Sequence, residues 1–297
     1  MKRILTLLAF AAILIASAPA ASAQTVKKDF DFKGFTALEL ASEFKVTVNK
    51  SDDFSIAVEL SEELVPYLDV RVSKGALIVE LRNVPSRLTI LKSHVINATI
   101  GMPELRGVTL NDASKLTVAD DFDLGNNDFT LSTGGASEVK QMEIHARNAT
   151  ISLLGASRVR LGGDFATVSI QSAGTSRIDM DADADDLTVK SSGTAVSEIE
   201  GTFDTIDLEL GGTSNVTLKG EAEEMTVAAA TAGSVDALRM PVTKADVRLS
   251  GAGVCKVYVK EALEVQCTGA STCSYKTDGD ITLDLKEIAR TATLKKL

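Results

Sequence analysis

A strand motif that recurs about every 19 residues constrains the fold of this chain more than any other feature. Each copy alternates an apolar, a polar and an apolar side chain, as in Val168-Ser169-Ile170 and Leu187-Thr188-Val189. Copies begin at positions 108, 129, 149, 168, 187, 206, 225, 245, 263 and 281, which are 18 to 21 residues apart. A fixed period of short strands without amphipathic helices is typical of a β-solenoid, in which each copy supplies one rung of a stack.

Small-residue turns follow most of these strands and support the same interpretation. They include Gly135-Ala136-Ser137, Gly155-Ala156-Ser157, Gly174-Thr175-Ser176, Gly193-Thr194-Ala195 and Gly212-Thr213-Ser214. Glycine adopts a positive φ without steric cost, and small neighbours let the backbones of successive rungs approach closely. The sequence therefore predicts an all-β, right-handed parallel β-helix with rungs of about 19 residues. The handedness is expected by extension of the rule for crossover connections. Two packed β-sandwiches also suit short strands, but the constant period favours the solenoid.

Residues 24–107 follow a different pattern. Strands are predicted around 44–48 and 76–81, and a short helix around 61–68 is limited by Pro66. The open end of a solenoid exposes strand edges and core, so its terminal units must differ from the repeats. We therefore interpret 24–107 as a β-rich N-terminal cap with the first strands, and 108–297 as the repeats with a C-terminal cap formed by the charged tail from residue 286. The two parts make one continuous domain.

The first 23 residues have the three parts of a secretory signal peptide. Lys2 and Arg3 precede an apolar run from Ile4 to Ala18, and Ala21-Ser22-Ala23 is an A-x-A cleavage pattern. A membrane anchor is disfavoured because this run is shorter than a comfortable span. We expect cleavage after Ala23 and export to the periplasm, the cell surface or the medium. No second long apolar stretch follows, so we expect no membrane span in the mature chain.

Charge and cysteine content exclude several other classes of protein. The full chain has 31 basic and 41 acidic residues, and a net charge of -10 argues against nucleic acid as a partner. The three cysteines, Cys255, Cys267 and Cys273, are too few for a disulfide scaffold and lack a CxxC spacing. We predict that they are buried as small apolar residues. Cys255 and Cys273 occupy equivalent positions of successive rungs, which disfavours a disulfide between them and leaves the redox state of all three open.

Several segments together carry a family resemblance. Phe35 to Leu40, Phe44 to Val48 and Gly75 to Val79, followed by the Gly-Ala-Ser rungs, resemble the bacterial autotransporter adhesin head GIN domain, a domain of unknown function. The resemblance covers nearly all of the mature chain. It implies an exported right-handed β-solenoid with an adhesive or cell-envelope role.

Catalytic chemistry finds little support in the sequence. Enzymes that act on polysaccharides need clustered carboxyl groups, and their sugar-binding clefts commonly add aromatic platforms. The chain has no Trp and only two histidines, His94 and His145, neither of which lies beside a nucleophile motif. The serines of the turns recur in successive rungs, which indicates a structural role. We therefore predict a protein that is not an enzyme and uses no cofactor.

One acidic segment is a weak candidate for a cation site. Asp181, Asp183 and Asp185 alternate along a predicted strand, and Ca²⁺ is the cation that such oxygen ligands would favour. Compared with an EF-hand loop, the segment lacks a glycine after Asp185 and has Ser192 at the closing glutamate position. A solvated turn is the favoured explanation, because carboxylates crowd exposed turns in any case. The stronger expectation is that no metal binds.

These observations lead to one functional interpretation and two alternatives. We interpret the chain as an exported, non-enzymatic β-solenoid that binds a protein or a glycan at the cell envelope. A polysaccharide-active β-helix enzyme would need loops inserted between the rungs, and the even spacing leaves almost no room for them. The other alternative is a periplasmic structural protein without an external ligand.

Overall fold

The computed structural model describes residues 24–89 and 94–297, so the predicted signal peptide lies outside the described residues. Apart from the 3-10 helix Glu62–Tyr67 and the short α-helix α1 (Ser86–Thr89), the regular structure of this part is all β. The N-terminal region, residues 24–107, contains β1 (Thr25–Phe30), β2 (Ala37–Leu40), β3 (Lys45–Lys50), β4 (Ser55–Ser61), β5 (Leu68–Ser73), β6 (Ala76–Leu81) and β7 (Ile96–Met102). The predicted strands at 44–48 and 76–81 are present, and the predicted short helix is the 3-10 helix.

The remaining strands form a parallel stack of rungs. They are β8 (Gly107–Leu110), β9 (Lys115–Val118), β10 (Phe122–Asp123), β11 (Phe129–Thr133), β12 (Glu138–Gln141), β13 (Ile144–Leu153), β14 (Arg158–Ser172), β15 (Arg177–Ser191), β16 (Val196–Leu210), β17 (Asn215–Ala229), β18 (Ser234–Leu249), β19 (Val254–Cys267), β20 (Thr272–Lys276), β21 (Thr282–Ile288) and β22 (Thr293–Lys296). Val168 pairs with Leu187, which pairs with Ile206, so the predicted triplets stack in the predicted register. The predicted β-solenoid with rungs of about 19 residues is confirmed.

Each long strand bends as it passes from one face of the solenoid to the next. The triplet face consists of the recurring triplets, such as Val168–Ile170. The return face consists of the residues that follow each small-residue turn, such as Arg158–Leu161. At the bend, Gly163 has a φ of +140° and an added Cβ would lie 1.7 Å from the carbonyl oxygen of Ile144 in the preceding rung. This close approach of two backbones explains why glycine occupies the bend.

Columns of aliphatic side chains fill the interior of the solenoid. Inward and outward residues alternate along each strand, and the inward ones stack on their equivalents in the next rung. One such column consists of Ile151, Ile170, Val189, Leu208, Val227, Val247 and Val265, all completely buried. Burial of each such side chain contributes about 1.5–3 kcal/mol, so the repeated columns stabilise this part of the chain.

In the N-terminal region the strand order in space departs from the order in sequence. Strand β2 lies between β6 and β8, and β3 lies between β7 and β9, in all cases parallel to them. Strand β4 then pairs antiparallel with both β1 and β7, and β5 pairs antiparallel with β6. These strands cover the first end of the stack, where Leu60, Leu64 and Leu77 are buried.

The last rung at the other end is more exposed. Strand β21 pairs with β19, and β22 pairs with β20, so residues 286–297 contribute strands to this rung. All seven residues of β21 are exposed. The apolar columns of the solenoid therefore continue up to a surface that faces solvent.

Candidate functional site

A shallow groove crosses several rungs on the return face. It has a volume of about 480 Å³ and is lined mainly by polar side chains. The lining comprises Gln141, Met142, Glu143, Arg160, Leu161, Gly162, Arg177, Asp179, Met180, Asp181, Glu198, Ile199, Glu200 and Lys219. Gly162 leaves space for the side chain of Glu143, because an added Cβ there would lie 2.3 Å from Glu143 Oε2.

The repeat brings charged groups from distant parts of the sequence into neighbouring positions of the groove. Asp181 pairs with Glu200, which pairs with Lys219, because these residues are equivalent in successive rungs. Lys219 Nζ lies 3.3 Å from Glu200 Oε2. The groove therefore presents both carboxylates and an ammonium group along a single column.

Arg177 connects two further carboxylates on the groove floor. Its Nη2 atom lies 2.9 Å from Asp179 Oδ1 and 2.8 Å from Glu198 Oε1. Hydrogen bonds with Glu198 and Asp179 raise the pKa of Arg177, so this guanidinium stays charged. A half-buried arginine held between two carboxylates is a rigid element with donors in fixed directions.

Glu143 has the most unusual environment among the carboxyl groups of the groove. Its side chain is half-buried, and burial raises its pKa above the ordinary value. The nearby charge of His145 opposes this effect, whereas Asp121, Asp181 and Asp164 add to it. Near the pKa, Glu143 can donate a hydrogen bond as an acid or accept one as a carboxylate. Sequence reasoning did not single out this residue, although Gly162-Gly163 directly opposite it was a visible signal.

Three cations form no ion pair among the described residues: Arg160, which lines the groove, and Arg158 and Lys140 beside it. Arg158 and Arg160 alternate on β14, and Lys140 follows Val139, which pairs with Val159 between the two arginines. All three side chains are exposed beside a depression of about 230 Å³ that also contacts Glu138 and Asp179. Because they are exposed and unpaired in the described residues, their donors are available to a ligand.

The three aspartates of the candidate cation site all lie on β15. Asp181, Asp183 and Asp185 are exposed and alternate with the buried Ala182 and Ala184. Asp181 lines the groove, whereas Asp183 Oδ1 accepts a hydrogen bond from the backbone N–H of Thr202 at 2.7 Å. Within residues 24–89 and 94–297, no group of three or more His, Cys, Asp or Glu is arranged to hold a metal ion.

The two histidines lie in different parts of the molecule. His94 belongs to the N-terminal region, where its Nε2 lies 2.9 Å from the carbonyl oxygen of Leu88 and its Nδ1 lies 3.1 Å from Glu63 Oε1. His145 lies beside the groove, with Nδ1 2.8 Å from Asp164 Oδ2.

The three cysteines are free, buried and close together near the last rung. Cys255 and Cys273 pair in register, as predicted from the repeat. Hydrogen bonding with Cys273 raises the pKa of Cys267, and hydrogen bonding with Cys255 raises the pKa of Cys273. The predicted burial is confirmed, but the contact of Cys267 with the other two thiols was not visible in the spacing.

Comparison with protein families identifies the chain. The profile described as "Putative auto-transporter adhesin, head GIN domain" matches residues 34–200 and, in a second match, 181–279. The chain belongs to this family. The resemblance seen in the sequence is thereby confirmed. Among curated proteins, none matches the chain.

Two solved structures are similar to this family member, and the first of them supports its fold. A "putative adhesin" from Parabacteroides distasonis ATCC 8503 is 14% identical, with a TM-score of 0.51, and the alignment covers 93% of this chain and 98% of the other. A "putative adhesin" from Parabacteroides merdae ATCC 43184 is 14% identical, with a TM-score of 0.49 and coverages of 92% and 96%. At such identities the first similarity concerns the fold alone. In the described part of this adhesin-family chain, none of the helices has the length and apolar character needed to cross a membrane.

Proposed function

We propose that this chain is an exported, non-enzymatic adhesion or cell-envelope interaction module that binds a protein or a glycan in the return-face groove. The observation that carries this proposal is the group of Lys140, Arg158 and Arg160, which form no ion pair in the described residues although the chain is acidic overall. Cations that lack an internal partner are available to an external one. Membership of the head GIN family supports an adhesive role.

The polarity of the groove favours a hydrophilic ligand. Arg177 and Lys219 hold carboxylates in place, so a ligand meets donors and acceptors that are already oriented. Preorganised groups lose less conformational entropy on binding than free side chains do. Hydroxyl groups of a glycan or polar groups of a peptide suit such a surface, and a carboxylate on the ligand would pair with Arg158 or Arg160.

A binding assay tests the role of the groove. The mature chain is incubated with intact bacteria and with arrays of glycans and extracellular proteins, and bound protein is quantified. We expect Arg160→Glu to weaken binding about tenfold or more, since it reverses a charge at the centre of the proposed contact. Lys260→Glu is the matched control, because Lys260 is also an exposed cation without an ion pair in the described residues but lies outside the groove. Equal binding by both variants would contradict the proposed site.

Two further measurements separate this function from the alternatives. Protease treatment of intact cells should remove an exposed adhesin, whereas protection until lysis would support a periplasmic structural protein. Incubation with a polysaccharide panel should release no new reducing ends. Reproducible release that Glu143→Gln abolishes would instead support the polysaccharide-active enzyme.

A further inference from the structure

The second end of the solenoid exposes the apolar core. Four of the five large apolar side chains exposed in the described residues belong to residues 283–297: Leu283 (38%), Leu285 (50%), Ile288 (36%) and Leu297 (54%). Leu283 pairs with Leu263 and Leu285 pairs with Val265, and both of those partners are buried. The exposed leucines are therefore the last members of columns that are buried everywhere else.

Unpaired strand edges accompany this apolar surface. In the part of the chain that the structure describes, β21 has one neighbouring strand, β19, and β22 has one, β20. Their outer edges offer free N–H and C=O groups, a combination that favours association with another molecule. The first end differs, because β1, β4, β5 and the 3-10 helix cover it. A terminal repeat of a solenoid normally needs such a cover.

We propose that a second copy of this chain covers the exposed end, so that two solenoids associate end to end about a two-fold axis. A two-fold contact uses the same surface of both copies, and one contact therefore buries both exposed ends. The inward columns that end at Leu283 and Leu285 in one copy continue into those of the other. In the described part of the chain, the covered first end offers no second site of this kind, so we expect assembly to stop at the dimer.

Charge complementarity around Leu285 supports a second copy as the occupant. Leu285 lies between Asp284 and Lys286, whose side chains form an ion pair within one copy. If the two β21 strands meet antiparallel with Leu285 opposite Leu285, each Asp284 faces Lys286 of the second copy. Opposite charges at facing positions stabilise such a pair, whereas like charges destabilise it.

The same strand limits the extent of the contact. The register of β21 against β19 shifts between Val265 and Gln266, which makes β21 irregular near Lys286. Such irregularities restrict edge pairing to a short segment and disfavour continued growth of a sheet. The end surface of one solenoid is small, so the dimer buries on the order of 1,000 Å² in total, the lower limit of stable interfaces. We therefore expect a dimer that dissociates on dilution.

Sedimentation equilibrium of the mature chain over a range of concentrations tests the proposal. The expected result is a monomer–dimer equilibrium for the wild-type chain and for Leu154→Asp, since Leu154 is exposed but distant from the last rung in sequence and register. Leu285→Asp should weaken the dimer about 100-fold or more while leaving the thermal unfolding midpoint nearly unchanged. A wild-type chain that stays monomeric up to high concentration would overturn the proposal, and so would a dimer that survives Leu285→Asp.

Charge reversal provides a second test that does not depend on removing an apolar side chain. Asp284→Lys and Lys286→Asp should each weaken the dimer about tenfold, because each places like charges opposite one another. The double variant restores opposite signs and should recover most of the affinity. If the double variant is as weak as the single ones, the antiparallel arrangement is wrong. Binding of the monomer to lipid vesicles through Leu285 would also overturn it and indicate a membrane as the occupant.

Discussion

The N-terminal region and the regular rungs both enclose a fully buried core, but different interactions specify them. In the rungs, each residue pairs with its equivalent in the neighbouring strand. Arg158 pairs with Arg177, for example, and Ile178 pairs with Ser197. In the N-terminal region, individual side chains do more, and a cluster of two arginines and two carboxylates joins β5 and β6. In the rungs, the fold is therefore specified mainly by the regular spacing of the backbone, whereas in the N-terminal region it depends more on individual side chains.

Two glycines with similar φ angles test this difference most strongly. Gly193 in a rung turn has a φ of +73°, and Gly75 in the β5–β6 turn has a φ of +79°. A Cβ on Gly193 would lie 2.7 Å from the carbonyl oxygen of Gly174, whereas a Cβ on Gly75 would have no neighbour within 4 Å among the residues that the structure describes. Gly75→Ala should therefore cost about 1–2 kcal/mol from backbone strain alone. Gly193→Ala should cost about 3 kcal/mol or more, because the neighbouring rung must also shift.

Urea unfolding of the mature chain, followed by circular dichroism, measures both effects. Because long repeat arrays depart from two-state unfolding, the midpoints at several wavelengths should be compared before free energies are derived. Equal losses for the two variants would show that contact between rungs adds nothing to the cost, and the proposed distinction between the regions would fail.

The same contrast explains how much of the structure was predictable from the sequence. The triplets and turns are local and recur at a fixed period, so the period alone places Val168 beside Leu187 and Cys255 beside Cys273. The insertion of β2 between β6 and β8 was not predictable, because that pairing joins segments far apart in sequence and has no repeat to reveal it.

The groove was predictable only in part. Its charged columns follow from the period once the return face is known, as Asp181 and Glu200 illustrate. The half-burial of Glu143 depends on the missing side chain of Gly162 and on the bend at Gly163, which are three-dimensional features. Gly201 and Gly220 also have positive φ angles and lie one period apart. Their spacing in the sequence is a signal for the bend that the triplets alone do not give.

Two buried serines provide a test of intermediate size. In the N-terminal region, Ser61 Oγ accepts a hydrogen bond from the backbone N–H of Val95 at 3.1 Å. In the rungs, Ser176 is equally buried, but its Oγ has no hydrogen-bond partner within residues 24–89 and 94–297. Ser61→Ala should therefore cost about 1–2 kcal/mol, because it leaves an N–H without its partner. Ser176→Ala should be neutral or slightly stabilising, since it removes an unsatisfied hydroxyl. Thermal unfolding midpoints measured side by side would contradict this account if Ser176→Ala proved the more damaging change.

The smallest expected effects concern two carboxyl groups with opposite pKa shifts. Burial alone would raise the pKa of Glu80, but hydrogen bonds from Arg71 and Arg82 outweigh it and lower the pKa below the ordinary value of 4.5. This stabilisation is present above pH 4.5 and is lost as the pH falls through the lowered pKa. For Glu143, burial raises the pKa above 4.5. Its ionisation therefore reduces stability as the pH rises from 4.5 through the raised pKa.

Glutamine substitutions convert these opposite shifts into opposite changes in stability. At pH 7, Glu80→Gln should lower the free energy of unfolding and Glu143→Gln should increase it, each by less than about 1 kcal/mol because both groups are partly exposed. The deficit of Glu80→Gln should shrink below pH 4, and the gain of Glu143→Gln should vanish near pH 4. Urea unfolding at pH 3, 4, 5 and 7 measures both trends. Changes of the same sign at pH 7 would contradict this prediction. They would mean that Glu80, beside the two arginines, and Glu143, in the groove, do not lie in different electrostatic environments.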